Sequence, residues 1–262
     1  MTNSDIIRLE PNGPAGKGLE AWPPIAPSDL VSGTPVQHGH TYLDDKVTGL
    51  SVGVWSCTAF TTTMAPYSVN EFMVVLEGTV TIIDAKGSET KINAGESFLI
   101  PKGLVCQWKQ IGFVRKFFVI FEDASGRKPK DAAGLKILKL DPKARLAACD
   151  GPDPALVIGD TAPTWHDTQV FADATGQFSV GVWDTTSYRR RPITFARHEL
   201  MHIIEGAVTL TGGDGRAQTF KAGDTLFVPL GASMAWSSTH YVRKFYCTFK
   251  PAVAVAQRAA GE

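Results

Sequence analysis

Nowhere in the 262 residues does an apolar run approach the roughly 18 residues that a membrane-spanning helix requires. There is no charge excess either: 26 Lys and Arg balance 26 Asp and Glu, whereas a dedicated nucleic-acid binder carries a basic surplus. Cysteine is scarce. Cys57, Cys106, Cys149 and Cys247 are too few for a disulfide scaffold, and none sits in a CxxC pair. The opening, Met1 to Arg8, lacks a charged segment followed by an apolar one, so no secretory leader is read and a cytoplasmic location is expected. Helix signals are nearly absent, the best candidate being the Ala-rich tail from Val253 to Ala260. What remains is ample for folding: 44% hydrophobic and 20% charged residues suit a soluble chain of one or two domains with a sizeable core.

The strongest positive signal is an internal repeat. Ser51-Val-Gly-Val-Trp55 recurs letter for letter as Ser179-Val-Gly-Val-Trp183, an offset of 128 residues (51 to 179). The same offset carries Glu71 onto Glu199, Gly78 onto Gly206, Gly95 onto Gly223, Pro101 onto Pro229, Trp108 onto Trp236 and Val114–Phe117 onto Val242–Phe245. No gap is needed from residue 51 to 121, so the chain is a tandem duplication. The expected division is residues 1–130 and 131–262, each copy led by a Pro/Gly-rich arm (Pro11–Pro35 and Asp150–Pro163), with Asp123–Asp131 also in the interdomain region.

Each copy reads as β structure. Met73–Ile83 and Ile203–Thr211 are rich in β-branched residues and run into the turn signals Asp84–Gly87 and Gly212–Gly215. Ser97–Pro101, Thr225–Pro229, Lys116–Phe121 and Lys244–Phe249 supply further short strands. Short strands at even spacing with Gly and Pro between them favour a sandwich or barrel over a βαβ fold.

On these residues the chain resembles the cupins. Glu71 followed after six residues by Gly78 looks like the end of the first cupin motif (G-x5-HxH-x3–4-E-x6-G), and Gly95, Pro101 and Gly103 look like the start of the second (G-x5-PxG-x2-H-x3-N); Glu199, Gly206, Gly223, Pro229 and Gly231 repeat both. The wording Asn70–Gly78, Pro101–Trp108 and Val114–Phe117 is similar to the branch of ethanolamine-utilisation Q-type cupins linked to (S)-ureidoglycine aminohydrolase. The resemblance implies an all-β bicupin, two tandem cupin jelly-roll barrels, and a homodimer. Cupins of this pattern hold a transition metal through the HxH pair, the Glu and the second-motif His. Here Met64–Tyr67 and Pro192–Phe195 stand in place of HxH, and Cys106 and Met234 in place of the last His. Each copy thus keeps one ligand of four, and a lone carboxylate does not replace imidazole. The expectation is a small-molecule-binding bicupin of small amine or metabolite catabolism with no metal cofactor, and no nucleic-acid or membrane partner. The alternative is a metal-dependent enzyme acting on a C–N bond, which needs ligands from elsewhere, such as His38, His40 or Cys106.

Candidate side chains follow from the motif register. Glu71 and Cys106 are the catalytic candidates; Tyr67, Met73, Trp108, Glu199, Met201, Met234 and Trp236 are the ligand-binding ones. An inward carboxylate must be paired or bind a ligand, since burying it alone is costly. A thiol beside a carboxylate is not activated, because a negative neighbour disfavours thiolate. Tyr67 can hydrogen-bond a ligand and its counterpart Phe195 cannot, so if one copy alone is functional, the first is the expected one. His198-Glu-Leu-Met-His202 spells HExxH, but on a strand the two histidines point away from Glu199, which removes the protease reading. Arg115-Lys116 and Arg243-Lys244 read as solvated or salt-bridged strand ends, and Arg189-Arg-Arg191 as solvated residues that also resemble an anion patch.

Overall fold

The computed structural model describes residues 6–123, 134–159 and 162–252. The 130/131 boundary, most of the Asp123–Asp131 stretch and the Val253–Ala260 tail lie outside the described residues. The architecture is all-β, with three short 3-10 turns (Pro14–Gly16, Pro27–Asp29, Pro154–Leu156) as the helical elements among the described residues. No helix there is long and apolar enough to cross a membrane.

Each copy contributes two antiparallel sheets in a cupin-like jelly-roll arrangement. In the first copy, one sheet runs in the order Leu138–Lys139, Ser97–Ile100, Asn70–Glu77, Val114–Phe121, Leu50–Cys57, Gln37–Asp45, Glu20–Ala21. Its partner sheet runs Glu89–Asn93, Thr79–Asp84, Val105–Gln110, Phe60–Thr62, Leu30–Ser32. The second copy repeats the plan: Ile7–Leu9, Thr225–Val228, His198–Glu205, Val242–Phe249, Phe178–Thr185, Trp165–Ala172, Ala147–Ala148 in one sheet. Val157–Ile158, Tyr188–Thr194, Ser233–Ser238, Ala207–Gly212 and Ala217–Lys221 form the other. The terminal strands are exchanged: Ile7–Leu9, ahead of the first copy, joins the second copy's sheet, and Leu138–Lys139, ahead of the second copy, joins the first copy's. By compactness one unit holds Leu9–Leu140 with Asp173–Thr175, and the other is built on Asp141–Ala172 and the chain from Gly176 on, taking in the start up to Arg8.

The central strands read as continuous apolar runs because both of their faces are buried. Along Asn70–Glu77, Met73 and Val75 face the first copy's interior, where they meet Trp55, Ile82, Trp108 and Phe118. Phe72 and Val74 point the other way and are equally buried. The turn after this strand requires glycine: Gly78 has φ +83°, and a Cβ there would lie 2.0 Å from the Phe113 carbonyl oxygen. Gly206 repeats the geometry against Tyr241.

Candidate functional site

Glu71 sits on the central strand opposite Ile120 and Ile100, and alternation turns it inward with Met73. Lys116 lies opposite Val75 on the neighbouring strand, and its long stem brings Nζ to 2.7 Å from Glu71 Oε1. Both side chains are buried, at 4% and 6% exposure. The ammonium is 3.0 Å from the Met73 sulfur and lies 4.9 Å and 4.7 Å from the ring centroids of Trp55 and Trp108. Two indole faces and a carboxylate therefore hold it as a desolvated cation. Of the solvated or salt-bridged strand end expected at Arg115-Lys116, Lys116 is the salt-bridged case, and the solvated one is corrected because its side chain is buried. The strand's period of two places Lys116 on the same inner face as Phe118, and the carboxylate offsets its desolvation.

The other Glu71 oxygen accepts a short hydrogen bond from the Tyr67 hydroxyl. Tyr67 is positioned by the Pro101–Gly103 turn: its amide donates to the Leu104 carbonyl at 2.8 Å, and its carbonyl accepts from the Gly103 amide at 2.7 Å. Burial, and then the Glu71 charge, push the Tyr67 pKa well above its ordinary value, so the phenol stays protonated and donates. Cys106 is buried in the same interior, its thiol pushed up to about 11 by burial, which leaves it neutral at physiological pH. Trp108 packs between Trp55 and Phe60 and donates from Nε1 to Gln110 at 2.8 Å.

A cleft of about 340 Å³ opens onto this pair. Glu71, Lys116 and Trp55 line it together with Trp22, Phe118 and Ile120, and Gln37, Thr41 and Ser51 supply polar walls. Trp22, from the Pro/Gly-rich arm, stands edge-on to Phe118 at 6.1 Å and covers Gly39, where a Cβ would come within 2.4 Å of its ring. Tyr67, Cys106, Met73 and Trp108 belong to the packed interior and do not line the cleft.

The second copy repeats the ion pair. Lys244 Nζ is 2.6 Å from Glu199 Oε1 and lies over Trp183 (4.7 Å) and Trp236 (5.8 Å). Burial works against the Glu199 carboxylate, but Lys244 and, after it, Arg197 and Arg190 overcome that and hold it below the usual range. Lys244 is as buried as Lys116, and Arg243-Lys244 is likewise the salt-bridged rather than the solvated case, with Arg243 on Asp184 and Lys244 on Glu199. Of Arg189-Arg-Arg191, the outer two are exposed and Arg190 is buried at 4%, a second correction. Met201, Met234 and Trp236 pack in this interior. HExxH lies on a strand: His202 is 2.8 Å from Thr225 Oγ1 and His198 stacks on Phe227, both on the face opposite Glu199.

Sequence reasoning missed Lys116 and Lys244. The signal was present, because Glu71 with Lys116 and Glu199 with Lys244 recur at one shared offset. It also missed Trp22, whose arm looked like plain linker.

Among the described residues no three His, Cys, Asp or Glu side chains come together. His38 and His40 alternate with Gln37 and Thr41, which line the cleft, and so point to the other face of their strand. The one retained ligand position already neutralises a lysine, so the donor set does not fit a divalent ion.

A duplicated, all-β jelly roll with an inward acid at the first-motif position of each copy defines a bicupin. The family model described as the EutQ-like cupin domain matches residues 46–118 and 172–246, and the chain belongs to that family in duplicate. It is similar to a protein of unknown function of the DUF861 family from Pseudomonas syringae pv. tomato, with 29% identity, TM-score 0.76, and coverage of 93% of this chain and 98% of that one. Two likenesses concern the fold alone. Ylba from E. coli, also DUF861, has 13% identity, TM-score 0.55 and coverage of 94% and 91%. A cupin 2 conserved barrel domain protein from Leptotrichia buccalis has 11% identity, TM-score 0.56 and coverage of 88% and 98%. No curated protein matches the chain.

Proposed function

We propose that the protein is a small-molecule-binding bicupin that works without the cupin transition metal, its ligand held in the cleft of the first copy above Glu71 and Lys116. The observation that carries this reading is the ion pair itself: Lys116 Nζ lies against Glu71 Oε1, the one retained ligand position, and both residues line an open cleft. An ionised carboxylate has about four lone-pair sites, and Lys116 and Tyr67 use one on each oxygen. Glu71 can therefore still accept a hydrogen bond from a ligand amine or hydroxyl, as an anchor or as a general base. Trp22, Trp55 and Phe118 supply the apolar contact surface. In this reading Met73, Trp108 and Cys106 form the packed support of the site, and Glu199, Met201, Met234 and Trp236 are their counterparts in the second copy.

The biological setting we propose is small amine or related metabolite catabolism, as an accessory protein or a metal-free enzyme, in the cytoplasm and as a homodimer. Light scattering on the purified chain tests the last point. The site is tested by an NMR screen of small amines, amides, ureas, acids and alcohols against EDTA-treated protein. The expected hits are lost in Trp22→Ala and weakened in Glu71→Gln, and are kept in Glu199→Gln. Hits indifferent to both first-copy substitutions, or appearing only after a metal is added, would overturn the reading.

A further inference from the structure

The lining of the first-copy cleft carries no net charge. Its ionisable groups cancel in pairs, with Lys116 2.7 Å from Glu71 and Lys46 2.9 Å from Asp44. A cation would meet Lys116 with no carboxylate free to pair with it, and an anion would meet Glu71. Such a surface favours a ligand of neither sign.

The hydroxyl groups are not cancelled in the same way, and the second copy shows the contrast position by position. There Ser179 and Thr248 lie opposite each other on adjacent strands with their hydroxyls 2.8 Å apart, and the Tyr246 hydroxyl donates to Asp167 at 3.3 Å. In the first copy Ile120 stands opposite Ser51, and Phe118 and Gly39 take the places of Tyr246 and Asp167. The Ser51 hydroxyl therefore lacks the cross-strand partner that Ser179 has. Ser51 lines the cleft, and Thr41 adds a second hydroxyl. Glu71 keeps lone pairs beyond those that Lys116 and Tyr67 use. The two glycines of this surface make room for aromatic rings: a Cβ at Gly39 would meet Trp22 at 2.4 Å, and one at Gly53 would meet Phe118 at 2.5 Å.

We propose that the ligand of this cleft is a neutral polyhydroxy compound, a short polyol or a single sugar ring; this rests on the binding role given to the cleft above. Of the two anchoring groups considered there, amine and hydroxyl, the balanced charges select the hydroxyl. A ligand hydroxyl both donates and accepts, so one can donate to Glu71 while others exchange hydrogen bonds with Ser51 and Thr41. The C–H groups of the same molecule lie against Trp22, Trp55 and Phe118, whose ring faces are weakly negative. At about 340 Å³ the cleft is at the small end of ligand sites, which limits the compound to about one ring. The second copy has its corresponding polar groups tied to one another and is not expected to bind the same class.

Erythritol and D-xylose are compared with propylammonium and butyrate by saturation-transfer NMR on the full chain, in wild type, Ser51→Ala, Ser179→Ala and Trp22→Ala. The expected result is binding of erythritol or D-xylose and of neither ion. That binding should be about threefold to tenfold weaker in Ser51→Ala, the worth of one net hydrogen bond, unchanged in Ser179→Ala and lost in Trp22→Ala. If Ser51→Ala does not fold, Thr41→Ala, at an exposed position, carries the comparison. An ion bound in a Trp22-dependent manner, with neither polyhydroxy compound bound, would overturn this inference and leave the cleft as a binding site. Polyhydroxy binding indifferent to both Ser51 and Thr41 would also overturn it. No Trp22-dependent binding of any of the four compounds would overturn both this inference and the reading of the cleft on which it rests.

Discussion

Replacing Lys116 by Met keeps the length and bulk of the side chain and removes only the charge. Glu71 would then be a carboxylate at 4% exposure with a single neutral donor, Tyr67. Removing one partner of a buried ion pair typically costs about 3–5 kcal/mol, because the remaining charge is left uncompensated. For a chain of this size about 1 kcal/mol moves the melting temperature by roughly 2–4 °C, so Lys116→Met should melt on the order of 10 °C lower. Lys116→Met combined with Glu71→Gln removes both charges and keeps an acceptor for Tyr67, so most of the loss should be recovered. Circular-dichroism melts of the four proteins of this cycle measure both the loss and its recovery. A Lys116→Met variant within about 1 kcal/mol of wild type, or a double variant no better than the single one, would refute the buried pair as the organising interaction.

Other consequences are local. His202 is buried, which lowers its pKa from 6.5 to about 4. Its contribution, of order 3 kcal/mol, is complete above the unfolded value and is lost as the pH falls from 6.5 to about 4; His202→Gln should flatten the urea-midpoint profile in that window, and an unchanged profile would contradict it. Gly39→Ala should displace Trp22 from the cleft, since the new Cβ would meet its ring at 2.4 Å; acrylamide quenching should rise in this variant and not in the same variant carrying Trp22→Phe. Native alkylation with iodoacetamide should label the partly exposed Cys149 first, because Cys57, Cys106 and Cys247 are buried and burial raises their thiol pKa values; peptide mass spectrometry showing Cys106 modified before Cys149 would show that its interior is open.

The duplication and the all-β character were legible because they rest on local signals: the repeated Ser-Val-Gly-Val-Trp, β-branched runs, and turn glycines such as Gly78 whose backbone no other residue adopts easily. The inward direction of Glu71 followed from register. Its partner did not, because an Arg-Lys pair entering a strand has the composition of a solvated end. Only alternation against Phe118 shows that Lys116 faces the interior while Arg115 does not. Arg190 hides in the same way within a run of three arginines, where the strand's alternation buries the middle one and exposes its neighbours. The exchange of Ile7–Leu9 and Leu138–Lys139 between sheets carries no sequence mark, since strands of two or three residues have no period to read. Trp22 was missed because what places it is the missing Cβ of Gly39, a contact across sequence rather than along it.

The central claim is that lysine ammonium groups, not metal ions, neutralise the acids retained at the cupin positions. Elemental mass spectrometry of the untagged protein, before and after incubation with Mn, Fe, Zn and Ni followed by desalting, tests it directly. The account predicts no stoichiometric metal in either sample, together with the appearance of metal uptake only in a variant such as Lys116→His that removes the internal cation and adds a ligand. One or two equivalents of a single transition metal per wild-type chain would contradict it.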